Sequence, residues 1–66
     1  MFLVDASKIR SLLFERGVGI TELARQTHLN PLTARKLIED GSKVTVRVIA
    51  AIAKFFSVDG NELIRR

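Results

Sequence analysis

The chain has 66 residues, 47% of them hydrophobic and none of them cysteine, and its 11 Lys and Arg outnumber 7 Asp and Glu for a formal net charge of +4. That length allows one domain near the lower limit for a self-sufficient core, and with no cysteine and no metal-ligand cluster, apolar burial has to supply the stability. Disulfide and thiol chemistry are excluded, no apolar run approaches the roughly 18–20 residues of a membrane span, and the basic balance favours a polyanionic partner. Met1–Val4 is too short, and lacks the basic flank, for a signal peptide. Absence of cysteine leaves the compartment formally open; it is compatible with a reducing cytoplasm, and a cytoplasmic location is the expectation.

Phe2, Leu3 and Val4 form the one β-like stretch, and a strand so short needs a partner. Asp5 is placed to cap a first helix running to about Arg16, with Ile9, Leu12 and Leu13 as its apolar face. Gly17 ends it where a left-handed residue is wanted. Gly19 starts a second helix, about 20–27, in which Leu23, Ala24 and Thr27 share one face. Asn30 is a good N-cap, and Pro31 takes the first helical position, where its missing N–H costs nothing. The third helix, about 31–40, puts Ala34, Leu37 and Ile38 on one side at i, i+3 and i+4, and Gly41 is its stop. Thr45 caps a fourth helix to about Phe56, with Val46, Ile49, Ile52, Ala53 and Phe56 directed at the core. Asp59 opens a short fifth helix, paired with Glu62 three residues later as in a capping box. The chain carries no internal repeat, low-complexity tract or sign of a second domain.

Residues 20–41 therefore read as two short helices joined by a turn too tight to be a loose linker. The outer side of the second of these shows Leu32, Thr33, Arg35 and Lys36, a polar and basic strip. That arrangement is what a DNA-reading helix-turn-helix requires. The segment resembles the helix-turn-helix of the lambda-repressor-like family, the Cro/repressor type. Leu23-Ala24 matches the family's Leu-Ala pair, with Ala24 small enough to let the helices cross closely. His28 stands at the turn position, followed by the apolar Leu29 and the cap Asn30. Ala34 and Leu37 fall where the family locks its second motif helix onto the first. Further on, Ile52-Ala53-Lys54, Phe56, Val58, Glu62 and Leu63 fit the family's fourth and fifth helices, so the resemblance covers nearly the whole chain.

It implies an all-α, compact five-helix lambda-repressor-like DNA-binding domain over residues 1–66, with the helix-turn-helix at helices two and three. The function it implies is sequence-specific binding of double-stranded DNA by a transcriptional regulator, most often a repressor. With helix three in the major groove, Pro31, Leu32, Thr33, Arg35 and Lys36 face base edges. Lys36 suits guanine O6 or N7, Leu32 a thymine methyl, Thr33 a base or a phosphate, and Arg35 a base or the backbone. Asn30 and the N–H groups at the helix start suit a phosphate oxygen. Ser42, Lys43 and Arg47 follow where relatives hold the sugar–phosphate backbone, and Thr21 and Arg25 at the start of helix two are further backbone candidates.

Three positions depart from the family. His28 replaces the usual turn glycine, although histidine is among the non-glycine residues enriched in the left-handed region. Ile20 replaces a glutamine that braces the DNA contact in many relatives. Leu13 and Ile38 stand where relatives often pair an Arg of helix one with a Glu late in helix three; packed hydrophobes can replace such a pair at little cost.

The remaining feature is a surplus of apolar residues. Val48, Ala51 and Phe55 form a second stripe on helix four, and Phe14 sits where relatives usually show a polar residue. Such stripes commonly mark an interface, and family members usually bind two half-sites as symmetric dimers through their C-terminal helices. A homodimer through Val48, Ala51 and Phe55 is the expectation, with the Phe2–Val4 strand edge as a further contributor. No nucleophile elbow, phosphate loop or metal-ligand pair points to catalysis. No enzyme activity, cofactor, membrane partner or small-molecule ligand is expected. The rival reading is a protein-interaction module, an antitoxin or dimerisation domain, that keeps the fold without reading DNA. Met1 and the lack of a linker-like stretch after Ile64 favour a complete small regulator over the head of a longer chain.

Overall fold

Side chains set where the helices begin. The computed structural model describes residues 1–65, which run as β1 (Phe2–Leu3), α1 (Ala6–Arg16), α2 (Ile20–Thr27), α3 (Pro31–Glu39), β2 (Lys43–Val44), α4 (Val46–Phe56) and a closing 3-10 turn (Gly60–Leu63). Asp5 accepts the Lys8 N–H at 3.2 Å, Asn30 the Leu32 N–H at 2.8 Å and Thr45 the Val48 N–H at 3.4 Å. Each satisfies a donor that the first helical turn would leave open. Gly19 caps α2 by its extended backbone alone.

Three helices end in the same way. Gly17, His28 and Ser57 adopt left-handed conformations with φ of 64°, 58° and 57°. In each case the next residue returns its N–H to the helix: Val18 to Leu13 O at 2.9 Å, Leu29 to Ala24 O at 2.9 Å, Val58 to Ala53 O at 3.0 Å. Val18, Leu29 and Val58 all pack against the core, so each stop also plants an apolar residue under the helix it closes. At His28 the turn expected from the sequence is present with a side chain where glycine is the cheaper residue. His28→Gly is expected to raise stability by about 0.5–1 kcal/mol, net of glycine's greater freedom in the unfolded chain. Urea unfolding followed by circular dichroism checks it; an unchanged or lower midpoint would show that His28 makes up the difference elsewhere.

The core joins Ile9, Leu12 and Leu13 of α1, Leu23 of α2, Leu37 and Ile38 of α3, and Ile49, Ile52, Ala53 and Phe56 of α4, with Val4, Val44 and Leu63 from the flanking segments. Ala24 and Ala34 are also buried, which lets α2 and α3 approach closely. Thr27 is buried as the pattern predicts, and its hydroxyl donates to Leu23 O at 2.7 Å, one turn back. Val46 corrects the expected core: it is 65% exposed. It occupies the first position of α4, where helical phase points it toward the interior but no neighbouring element reaches far enough to cover it.

The all-α class fits this mostly helical chain, but the five-helix count is corrected and a small sheet is added. The expected fifth helix is a single 3-10 turn of four residues. Its capping box does form, with Asp59 accepting the Asn61 N–H at 2.9 Å and Glu62 accepting the Asp59 N–H at 3.2 Å. The turn stops because Ile64 is extended and bridges Val4 in antiparallel fashion. The addition is a small two-stranded sheet. β1 pairs antiparallel with β2, Phe2 opposite Val44 and Leu3 opposite Lys43. On its other side the same segment takes the Arg65 N–H on Leu3 O and gives the Asp5 N–H to Leu63 O, both at 2.8 Å. The N-terminal strand thus lies between the loop after α3 and the C-terminal segment, which supply the partners a three-residue strand needs. Helix α3 ends at Glu39, one residue before the expected limit, with Asp40 as its cap. Gly41 follows at φ 74°, and a Cβ there would meet Val4 O at 2.8 Å, so glycine is required both for the turn and for the approach of the strand. No helix of the described residues is long and apolar enough to cross a membrane.

Candidate nucleic-acid interface

The inner side of α3 is fixed by Ala34, Leu37 and Ile38, all buried. Its outer side is therefore free of any packing duty. Pro31, Leu32, Thr33, Arg35 and Lys36, the residues expected to face base edges, are all exposed. Leu32, Thr33, Arg35 and Lys36 line one shallow, open groove along α3, so the structure brings these four together. Pro31 lies at the helix start, outside the groove's lining. Glu39 and Asp40 complete the lining. Their spacing of three and four from Lys36 is the sequence signal that places them on the same side of the helix.

Leu32 is the least expected side chain of this strip on a solvated face, at 72% exposed. An apolar side chain held in water between a hydroxyl and two cations has the shape and chemistry to touch a base methyl group. The start of α3 is largely satisfied. Pro31 has no N–H, the Leu32 N–H goes to Asn30 Oδ1, and the Ala34 N–H goes to Asn30 O at 2.9 Å. That leaves the Thr33 N–H and the Asn30 carboxamide NH2 as the donors of this turn for an anion.

The expected backbone contacts are distributed over other elements. Thr21 and Arg25 are exposed on α2, Lys43 on β2 and Arg47 on α4, while Ser42 is half-buried, its carbonyl accepting the Val4 N–H at 3.0 Å. Arg25 is already engaged: its guanidinium bonds Glu22, which also accepts from Gln26 at 2.9 Å. Those hydrogen bonds, Arg25's first and Gln26's second, hold the Glu22 carboxyl below the ordinary carboxylate range. Arg25 would have to leave Glu22, or share itself, to hold a phosphate.

Ile20, at the place where relatives carry glutamine, is half-buried and packs on the core. Leu13 and Ile38 are both buried within the core cluster, as packed hydrophobes in place of an ion pair. A polar link between α1 and α3 nevertheless exists, and sequence reading missed it. Arg10 Nη1 donates to the Ile38 carbonyl oxygen at 2.5 Å. On α4, Val48 and Phe55 are half-buried and lean on the core, with Phe55 edge-on to Phe56 at 5.0 Å between ring centroids, and Ala51 is half-exposed.

Two short helices crossing on small residues, with the second anchored inward by apolar side chains and its outer face left to polar and cationic ones, define a helix-turn-helix of the DNA-binding kind. Comparison with known proteins gives the same class. The pattern of the Cro/C1-type HTH DNA-binding domain matches residues 8–66, and the chain belongs to that family. It is 34% identical over 59 residues, 89% of this chain and 84% of the other, to the SPbeta prophage-derived uncharacterized HTH-type transcriptional regulator YopO of Bacillus subtilis (strain 168). No solved structure gives a significant match.

Proposed function

We propose that this protein is a sequence-specific duplex-DNA-binding regulator of transcription, a repressor acting in the cytoplasm, which inserts α3 into the major groove. The observation that carries this reading is the single open groove shared by Leu32, Thr33, Arg35 and Lys36 on a helix whose other side is locked in the core. The description of the Bacillus subtilis relative as a transcriptional regulator supports the regulatory part. In this arrangement Lys36 and Arg35 donate to guanine edges, Leu32 meets a thymine methyl, and Thr33 and Pro31 sit against the neighbouring bases. The Asn30 amide, Ser42, Lys43 and Arg47 hold phosphates, with Thr21 and Arg25 on the flanking backbone, and supply affinity and salt dependence rather than specificity.

Selection from a pool of random duplexes tests this reading. Enrichment of a motif whose half-sites lie about one helical turn apart supports it; salt-sensitive binding with no enriched motif refutes specific reading and leaves the protein-interaction module as the better account. A homodimer through Val48, Ala51 and Phe55 is part of the proposal, because half-exposed apolar residues on one flank of α4 are positioned to meet their own copy. Ala51→Glu puts a charge in that flank without touching the buried core. It is expected to shift the sedimentation coefficient to that of a monomer and to weaken binding to the two-half-site operator. An unchanged sedimentation profile would place the dimer contact elsewhere.

A further inference from the structure

Among the described residues, every side-chain hydrogen bond but one joins residues within four positions of each other in sequence. The exception is Arg10 to the Ile38 carbonyl, across 28 positions, from the middle of α1 to the last turn of α3. The acceptor is one of the carbonyls that a helix end leaves open. The last turn of α3 also carries the Asp40 N–H to Lys36 O bond at 3.0 Å, and then Glu39 and Asp40 themselves. Two negative charges at the negative pole of a helix are unfavourable, and a guanidinium at that pole is favourable.

A nine-residue helix is roughly 13 Å long, and its inward contacts through Ala34, Leu37 and Ile38 are apolar. Apolar contacts fix which face turns inward, but the force behind them is non-directional. A charge-assisted hydrogen bond to a backbone oxygen is directional and fixes axial position. Base reading tolerates errors of only about 0.5 Å in the placement of donor groups. Arg35 and Lys36 lie less than one turn from the tethered carbonyl.

We infer that Arg10 is a positioning residue for DNA reading: by holding the Ile38 carbonyl it sets the axial register of α3, and through it the reach of Arg35 and Lys36 to base edges. The inference rests on the proposed DNA reading and adds a residue that touches no DNA. Arg10 is exposed on α1, so Arg10→Met keeps stem length and helix propensity and leaves the core intact. Arg10→Lys keeps the charge and a donor without the fork.

Two measurements decide it. The first needs no DNA: amide hydrogen exchange on folded protein, comparing α3 with α4. Arg10→Met is expected to speed exchange in the second half of α3 about tenfold while leaving α4 unchanged. The second compares affinity for the selected operator with affinity for an unrelated duplex. Arg10→Met is expected to lower operator affinity about tenfold and unrelated-duplex affinity by less than about twofold, with Arg10→Lys restoring the second fully and the first in part. Equal losses on both duplexes would make Arg10 an ordinary cationic contact and overturn the inference, as would α3 exchange that does not change. If wild type selects no operator, the DNA reading itself fails, while the exchange comparison still reports whether Arg10 holds α3.

Discussion

Replacing Arg35 and Lys36 together by alanine is expected to lower affinity for the selected operator about a hundred- to a thousandfold, since each side chain that hydrogen-bonds a base edge supplies roughly 1–3 kcal/mol of discrimination. Affinity for unrelated duplexes should fall much less, and the slope of log affinity against log salt should flatten by about one to two. Both side chains are exposed and neither makes an ion pair or a side-chain hydrogen bond among the described residues. The double variant should therefore keep its thermal midpoint, and any weakening of binding can be assigned to the interface rather than to unfolding. Fluorescence anisotropy across a salt series measures both quantities at once. Parallel reductions on operator and unrelated DNA would mean that α3 contributes charge without reading bases.

The largest effect on stability is expected at Phe56. It is fully buried, it is the largest side chain in that state, and it holds Phe55 edge-on at 5.0 Å. Phe56→Ala should cost about 3–5 kcal/mol through the forfeited transfer energy and the cavity left behind. A domain of this size has roughly 3–10 kcal/mol in total, so the variant should be largely unfolded at 37 °C or nearly so. Calorimetry or urea titration checks this, with Phe14→Ser as the comparison: Phe14 is 89% exposed, and its removal should change stability by less than about 0.5 kcal/mol. A mild effect at Phe56 would require α4 and the closing turn to collapse into the space.

How much of this was legible in the sequence depends on whether the signal is local. Asp5, Asn30, Thr45 and Asp59 cap the elements they were expected to cap, and Gly17 and His28 end theirs, because a cap bonds residues two to five positions away. The inward faces of α1, α2 and α3 follow from helical period alone. Val46 was misread because period gives a direction and says nothing of what lies opposite. The sheet was half-read: Phe2–Val4 has β character, but Lys43–Val44 is too short to show a period, and strand pairing is non-local. Arg10 left no signal at all, since its partner is a backbone carbonyl, which every residue type carries. The exposed strip Leu32, Thr33, Arg35 and Lys36 was legible because it is what remains of α3 once its core side is assigned.

The placement of β1 has a consequence for the order in which the molecule folds. The strand's partners lie roughly forty and sixty residues further along the chain. Closing loops of that length costs entropy that only an already assembled set of helices can offset. The four helices, whose bonds are local, can form first, and the strand pairs once they have brought Lys43–Val44 and Leu63–Arg65 beside it. The strand is thus the last element to be paired, and until then its backbone N–H and C=O groups stay in water.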